Sequence, residues 1–229
     1  TGTYAEQALY NSQWVFPLPD AVAFEQGAGI FVPYSTAYRA LFHKGMAQPG
    51  NTVLVHGATG AVGLAAVPLA VAAGMTVIGS GGSPAGRELV YAQGATLVVD
   101  HHQESYRQKI LAATSGQGVD VILDMLADVN LGHDLTLAAP GGRVVVIGSR
   151  GTVTINPRDI MGRETTVTGM SLFNTPPETM QQIQRYLQAG LKNGSLAPLV
   201  RQALPLASAP EAHAAVMSSA AQGNWVLLP

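Results

Sequence analysis

The chain has 229 residues, of which 47% are hydrophobic and 11% charged, so it can bury a large core and is not an intrinsically disordered segment. A formal net charge of −2 and a pI near 6.3 argue against binding to nucleic acid or anionic membranes. The absence of cysteine excludes disulfides and thiolate metal ligands. No apolar run is long enough to span a bilayer, and we expect a cytoplasmic protein.

The start of the chain differs from the start of most proteins. Residues 1–6 (TGTYAE) have no initiator methionine and are typical of a strand, so we expect this chain to be the C-terminal piece of a longer protein. The first 33 residues contain Pro17, Pro19 and Pro33. Their pattern predicts a strand, a loop and a short helix.

Strand-like and helix-like stretches alternate through the middle of the chain. This alternation predicts an α/β fold, a doubly wound parallel sheet of the Rossmann type with helices on both faces. The predicted strands are 52–56, 75–79, 97–100, 119–124, 143–148 and 165–170, with a short ribbon at 153–155. The predicted helices are 64–73, 85–93, 106–114 and 131–139. The end of the chain predicts helices 177–189 and 210–218 and strands 199–201 and 225–228.

The most informative motif follows the first predicted strand. In residues 53–63 (VLVHGATGAVG), the small positions of a dinucleotide-binding turn are occupied by Ala58, Gly60 and Gly63, with alanine in place of the first glycine. Small residues let backbone N–H groups approach a pyrophosphate, and the next helix directs its positive end at the same anion. The motif therefore predicts a nicotinamide dinucleotide site.

The end of the second predicted strand indicates which dinucleotide binds. Enzymes that use NAD place an acid there to bind the ribose 2′-hydroxyl, whereas residues 78–83 (IGSGGS) contain none. Arg87 in the next helix can supply positive charge for a 2′-phosphate. The pattern favours NADPH over NADH, although residues 81–82 can also be a flexible turn with Arg87 a solvated surface residue.

Two adjacent histidines follow the third predicted strand. We expect His101 and His102 to point to opposite faces, because side chains alternate along a strand, and no further ligands complete a metal set. The interpretation is that His101 flanks the adenosine and His102 is solvated. His56, inside the first strand, is predicted to be a packed and hydrogen-bonded core residue.

The end of the fifth predicted strand is the expected nicotinamide side of the site. Small residues in the run from Ile147 through Gly148 and Ser149 to Arg150 let the ring approach the backbone, and Arg150 can pair with a phosphate. The alternative is an ordinary exit from a strand into a loop. No tyrosine has a lysine four residues later, which excludes the short-chain reductases, and no nucleophile elbow is present.

Together these residues resemble the quinone oxidoreductase branch of the medium-chain dehydrogenase/reductase superfamily, and most specifically its zeta-crystallin-type members. The resemblance extends from the first residue to near the last. It is carried by residues 4–6, 32–34, 36–41, 53–63, 118–120, 125–131, 141–151 and 155–159.

The resemblance implies a division of the chain into three parts. Residues 1–34 correspond to the tail of a GroES-like catalytic domain, 35–170 to the dinucleotide-binding Rossmann domain, and 171–229 to a C-terminal helix with the return to the catalytic domain. Most of that catalytic domain is absent from this sequence. Two further departures are Pro68, inside the helix after the motif, and Asn224, where the family has a lysine.

The function implied is zinc-independent transfer of hydride from NADPH to quinones or related activated enones, by a homo-oligomer. No catalytic acid can be named. The cofactor contacts implied are Thr59, Gly60, Ala61 and Val62, with Gly63 of the motif, then Gly82, His101, Asn130, Ile147, Gly148, Ser149 and Arg150.

Two other functions stay open. The chain can be an NADPH-binding module without turnover, because much of the substrate pocket is absent. It can also have a structural or RNA-binding role like that of zeta-crystallin. The 12 lysines and arginines are scattered along the chain, which argues against strong RNA binding.

Overall fold

A six-stranded parallel sheet forms the centre of the computed structural model, which describes residues 2–217 and 222–229. The strand order β3-β2-β1-β4-β5-β6, with every neighbouring pair parallel, confirms the doubly wound sheet. The strands are β1 (Thr52–Val55), β2 (Thr76–Ser80), β3 (Leu97–Val99), β4 (Val119–Asp124), β5 (Ala138–Val146) and β6 (Thr166–Gly169).

Helices cover both faces of this sheet and enclose two apolar cores. Alternate residues of one strand enter opposite cores: Val53 and Val55 pack on one face and Leu54 on the other. The connecting helices are α3 (Ala61–Ala72), α4 (Pro84–Ala92), α5 (Tyr106–Ala113), α6 (Ala127–Leu137) and α7 (Pro157–Arg163). Helix α3 continues through the buried Pro68, so the proline does not end it.

The first part of the chain differs from its prediction. Residues 2–23 contain no strand, so the strand predicted at the start is wrong. An isolated extended segment has no neighbouring backbone to satisfy its N–H and C=O groups. This part contains a 3-10 helix, Ser12–Trp14, and the α-helices α1 (Phe24–Ala28) and α2 (Phe31–Tyr38). Helix α2 continues into a π-helical segment, Arg39–Lys44.

The middle of the chain also departs from prediction in places. Residues 153–155 form no strand, so the predicted ribbon is wrong, and α7 was not predicted. Helix α6 begins four residues earlier than expected, which places Asn130 within its first turns. Strand β5 begins at Ala138, five residues before its predicted start, and continues through Pro140 and Gly141 with a register irregularity against β4.

The C-terminal part returns towards the sheet. Helix α8 (Pro177–Lys192) packs on α2, where the buried Gln184 Nε2 donates to Ser35 Oγ at 2.8 Å. Strands β7 (Val200–Pro205) and β8 (Asn224–Leu228) form a second, parallel pair, and α9 (Ala209–Val216) lies between them in sequence. Residue 218, the predicted end of that helix, lies outside the described residues. The division at residues 34 and 170 stays a prediction.

Across residues 2–217 and 222–229, none of the helices combines the length and apolar character that a membrane span requires.

Candidate functional site

The glycine-rich turn joins β1 to α3 at the centre of the carboxyl edge of the sheet. Gly57 has a φ of 60°, a conformation that L residues rarely adopt. Ala58 is fully buried, and its N–H donates to the Ser80 carbonyl at 2.9 Å. A Cβ on Gly63 would lie 2.5 Å from Ala58 Cα and 2.6 Å from Gly57 O, so only glycine lets α3 pack this closely on the turn.

The N-terminus of α3 points out of this turn. Its N-cap, Gly60, has no side chain to cap the first-turn N–H groups. Within the described residues, no hydrogen bond is found for the N–H groups of Ala61, Val62 and Gly63. The predicted contacts Thr59, Gly60, Ala61 and Val62 are all partly exposed. Free amides and the helix dipole at one end of a twelve-residue helix suit a pyrophosphate.

The C-terminal return closes on the same turn, which the sequence did not indicate. Gly223 N–H donates to Thr59 O at 3.0 Å, and Gly60 forms a parallel bridge with Gly223. Gln222 Nε2 donates to Ser83 Oγ at 2.9 Å. The side chain of the neighbouring Asn224 contacts a different segment, since its Nδ2 donates to Leu199 O at 3.4 Å.

Gly82 lies at the proposed adenosine end, between the ends of β2 and β3. A Cβ there would lie 2.6 Å from His102 Nε2 and 3.2 Å from His101 Nε2, so both imidazoles cover this glycine. Their ring centroids are 4.4 Å apart. The prediction that the two side chains point to opposite faces is wrong, because β3 ends at Val99 and both histidines lie in the turn that follows.

Charges at this end are partly compensated. One guanidinium nitrogen of Arg87 donates to the carbonyls of Gly81 and Gly82, at 3.1 Å each, and lies 3.2 Å from Asp100 Oδ2. The His102 N–H donates to Asp100, which lowers the pKa of that carboxyl, and Arg87 lowers it further. Burial and the neighbouring His102 lower the pKa of His101. Arg87 therefore holds the turn at residues 81–82 in place.

The proposed nicotinamide end lies where β4 and β5 finish. Asp124 O accepts from the N–H groups of Ile147 and Gly148, at 2.8 and 3.2 Å. A Cβ on Gly148 would lie 2.5 Å from Met125 O, so glycine is required for this contact. Ser149 Oγ and Arg150 N–H both donate to Asp128 Oδ1, at 3.3 and 2.9 Å.

The Asp124 side chain is a further member of this end that sequence reasoning missed. The residue is fully buried, and its Oδ1 accepts from Leu126 N–H at 2.9 Å and from Asn130 Nδ2 at 3.0 Å. Its Oδ2 is buried and has no partner among the described residues. Burial, reinforced by the nearby Asp134, raises the pKa of Asp124 to about 6. Its place at the end of a strand was the available signal.

A buried polar cluster links the two ends beneath the edge of the sheet. His56 is 3% exposed, its Nε2 donates to Asp134 Oδ1 at 2.7 Å, and its Nδ1 lies 3.4 Å from Ser80 Oγ. Ser80 Oγ accepts in turn from Gly57 N–H at 3.3 Å. Burial lowers the pKa of His56, but Asp134 and Asp124 outweigh it and the net shift is upward. The prediction of a hydrogen-bonded core histidine is confirmed.

A separate apolar groove of about 760 Å³ lies between the first 32 residues, the segment 172–175 and α8. Trp14, Phe16, Phe31, Phe173 and Leu191 are among its lining residues. It contains none of the predicted cofactor contacts, so the groove and the strand ends are distinct features.

Comparison with known proteins agrees with this geometry. Residues 61–189, more than half of the chain, match the model of a family described as zinc-binding dehydrogenase. Curated quinone oxidoreductases from Rattus norvegicus and Homo sapiens are 45% and 44% identical over 229 residues, which is 100% of this chain and 70% of each relative.

Two solved structures have folds similar to that of this chain. The quinone oxidoreductase of Thermus thermophilus, solved with its NADPH complex, has a TM-score of 0.90 at 30% identity over 100% of this chain and 74% of its own. The quinone oxidoreductase of Escherichia coli, complexed with NADPH, has a TM-score of 0.85 at 29% identity over 95% and 69%. The chain therefore belongs to the quinone oxidoreductase branch of the medium-chain dehydrogenase/reductase superfamily, with curated relatives of the zeta-crystallin type.

Proposed function

We propose that this chain transfers hydride from NADPH to quinones or related activated enones, without zinc. As a member of the quinone oxidoreductase branch, it is an NADPH-dependent oxidoreductase. The observation that carries the proposal is the turn between β1 and α3, where Gly63 packs against Ala58 and the first amides of α3 stay uncapped. That arrangement fits a diphosphate.

The proposed contacts follow the carboxyl edge of the sheet. The turn and the start of α3 bind the pyrophosphate, the residues after β2 and β3 bind the adenosine ribose, and the residues after β4 and β5 bind the nicotinamide half. In that order they are Thr59, Gly60, Ala61, Val62 and Gly63; Gly82 and His101; Asn130, Ile147, Gly148, Ser149 and Arg150.

The preference for NADPH follows from charge at the end of β2. Residues 79–83 contain no acid that would repel a 2′-phosphate. Arg87 and the two histidines supply donors beside Gly82, although Asp100 offsets part of the positive charge. We therefore place the 2′-phosphate near Gly82 and His101.

The bound dinucleotide would supply the hydride, and the protein supplies its orientation. The phosphate turn anchors one end, and the close contact of Gly148 with Met125 keeps the backbone at the other end free of side chains. The proton that follows the hydride is assigned to no residue of this chain.

Zinc independence is supported by the donor set. The chain has no cysteine, and residues 2–217 and 222–229 contain no group of three or more histidine and acidic side chains placed to hold a metal ion. We also propose that the protein is cytoplasmic and that the chain forms a homo-oligomer. Size-exclusion chromatography with light scattering would test the oligomeric state.

Two measurements on the purified chain test the proposal. NADPH is titrated by fluorescence, and NADPH oxidation is then followed by absorbance with an ortho-quinone, before and after treatment with a zinc chelator. We expect binding and chelator-resistant oxidation. Binding without oxidation would support the NADPH-binding module instead, and loss of oxidation after chelation would overturn zinc independence. Absence of both binding and oxidation would overturn the proposed function.

A further inference from the structure

The side-chain amide of Asn130 has a hydrogen-bond partner for its nitrogen only, among the described residues. Its Nδ2 donates to Asp124 Oδ1, and among the described residues no hydrogen bond is found for its Oδ1. A carboxylate only accepts hydrogen bonds, so it requires the NH₂ end of a neighbouring amide to face it. The buried carboxylate therefore fixes which way the Asn130 amide points.

Asp124 is itself held rigidly. It ends β4 within the sheet, it is 0% exposed, and the same Oδ1 accepts from Leu126 N–H at 2.9 Å, the residue before α6 begins. Its backbone carbonyl also binds the N–H groups of residues 147 and 148. One buried residue thus orients the start of α6 and the end of β5, the two segments of the proposed nicotinamide end.

We propose that Asp124 is a positioning residue that turns the carbonyl oxygen of Asn130 towards NADPH, so that Asn130 accepts a hydrogen bond from the nicotinamide half. This inference depends on the proposed function and adds to it the direction of the hydrogen bond. Asp124 touches no part of the cofactor itself. Its effect is transmitted through Asn130.

Asp124→Leu removes the acceptor while keeping a side chain of similar size. It also removes a buried carboxylate oxygen that has no partner among the described residues, so the fold is expected to survive. Loss of one orienting hydrogen bond is expected to raise the Kd for NADPH by about tenfold. The Kd for adenosine 2′,5′-bisphosphate, which lacks the nicotinamide half, should stay within about twofold of the original value.

Asp124→Asn is the matched variant. Its Oδ1 can still accept from Asn130 and Leu126, while its NH₂ replaces the unpartnered oxygen, so NADPH affinity should be retained within about threefold. This variant keeps the test decisive if Asp124→Leu does not fold, because a tenfold loss in a folded Asp124→Asn protein would contradict the proposal.

A double-mutant cycle gives the sharpest readout. If Asp124 acts through Asn130, Asp124→Leu should weaken NADPH binding in the native background and should have no further effect on NADPH binding in Asn130→Ala. Equal weakening of NADPH and the bisphosphate, an undiminished effect in Asn130→Ala, or unchanged NADPH affinity would each overturn the inference. A native chain that fails to bind NADPH would instead overturn the proposed function.

Discussion

The two ends of the proposed cofactor site are built by different means. At the phosphate end the backbone itself forms the site, since Gly63 lets α3 touch the turn and the first amides of α3 stay uncapped. At the nicotinamide end a buried carboxylate, Asp124, organises the neighbouring segments. The phosphate end should therefore be sensitive to added volume, and the nicotinamide end to the loss of charge or of an acceptor.

The largest expected effect concerns the cluster that joins the two ends. His56→Leu leaves Asp134 buried without its only hydrogen-bond partner among the described side chains, and we expect a loss of about 3–5 kcal/mol in the free energy of unfolding. Urea denaturation measures this loss.

The control for this prediction is the double variant His56→Leu/Asp134→Leu. Replacing both charged groups by apolar ones removes the uncompensated charge, so most of the lost stability should return. If the double variant is as unstable as the single one, the packing of the imidazole rather than its charge stabilises the junction.

The second prediction isolates charge at the nicotinamide end. Burial raises the pKa of Asp124 to about 6 from an ordinary value of 3.8, so between pH 4 and 6 the unfolded chain releases a proton that the folded chain keeps. The contribution of this group is fully present below pH 4 and is lost as the pH rises through about 6. Asp124→Asn removes that dependence.

Relative to the native chain, Asp124→Asn should therefore gain about 3 kcal/mol in the free energy of unfolding between pH 4 and pH 7. Parallel urea titrations at both pH values give the difference, in which the titration of groups that do not interact with Asp124 cancels. A difference that does not change with pH would show that Asp124 titrates normally.

The third prediction addresses volume at the phosphate end. In Gly63→Ala the new methyl group meets backbone atoms of residues 57 and 58, so we expect a loss of about 1–3 kcal/mol in stability together with weaker NADPH binding. Gly162→Ala is the matched control, because that glycine also lies in a helix, α7, but has no described atom within 4 Å of the added Cβ. The control should keep NADPH affinity and gain about 0.5–1 kcal/mol. Equal behaviour of the two variants would contradict the close packing of the turn.

The smallest expected effect is at the adenosine end. Asp100→Asn removes the negative charge beside Arg87, so the ratio of NADPH to NADH affinity should rise by about threefold. Fluorescence titrations with both nucleotides measure this ratio, and low salt should enlarge it. An unchanged ratio would place the 2′-phosphate away from Gly82 and Arg87.

Most of the sheet and the glycine-rich turn after β1 could be predicted from local patterns. The turn at Gly60 and Gly63 could be predicted because glycines at this spacing after an apolar strand are typical of a dinucleotide-binding turn. His56 was correctly predicted to lie in the core. The roles of Asp124 and Asp134 could not be predicted, because each depends on partners far along the chain. The prediction that the His101 and His102 side chains point to opposite faces was wrong, because β3 ends before them and the alternation of side chains along a strand no longer applies.

The sequence by itself determined the alternation of strands and helices and the glycine-rich turn, because short-range spacing of apolar and small residues encodes both. It also carried the resemblance to the family, through motifs spread along the chain. Only the tertiary structure decided which distant groups meet at the strand ends: Asp134 with His56, Gly223 with Thr59, and Asp100 with Arg87. The physical reason is that hydrogen bonds and ion pairs act over a few ångströms, and the parallel sheet brings the ends of separate strands to one edge.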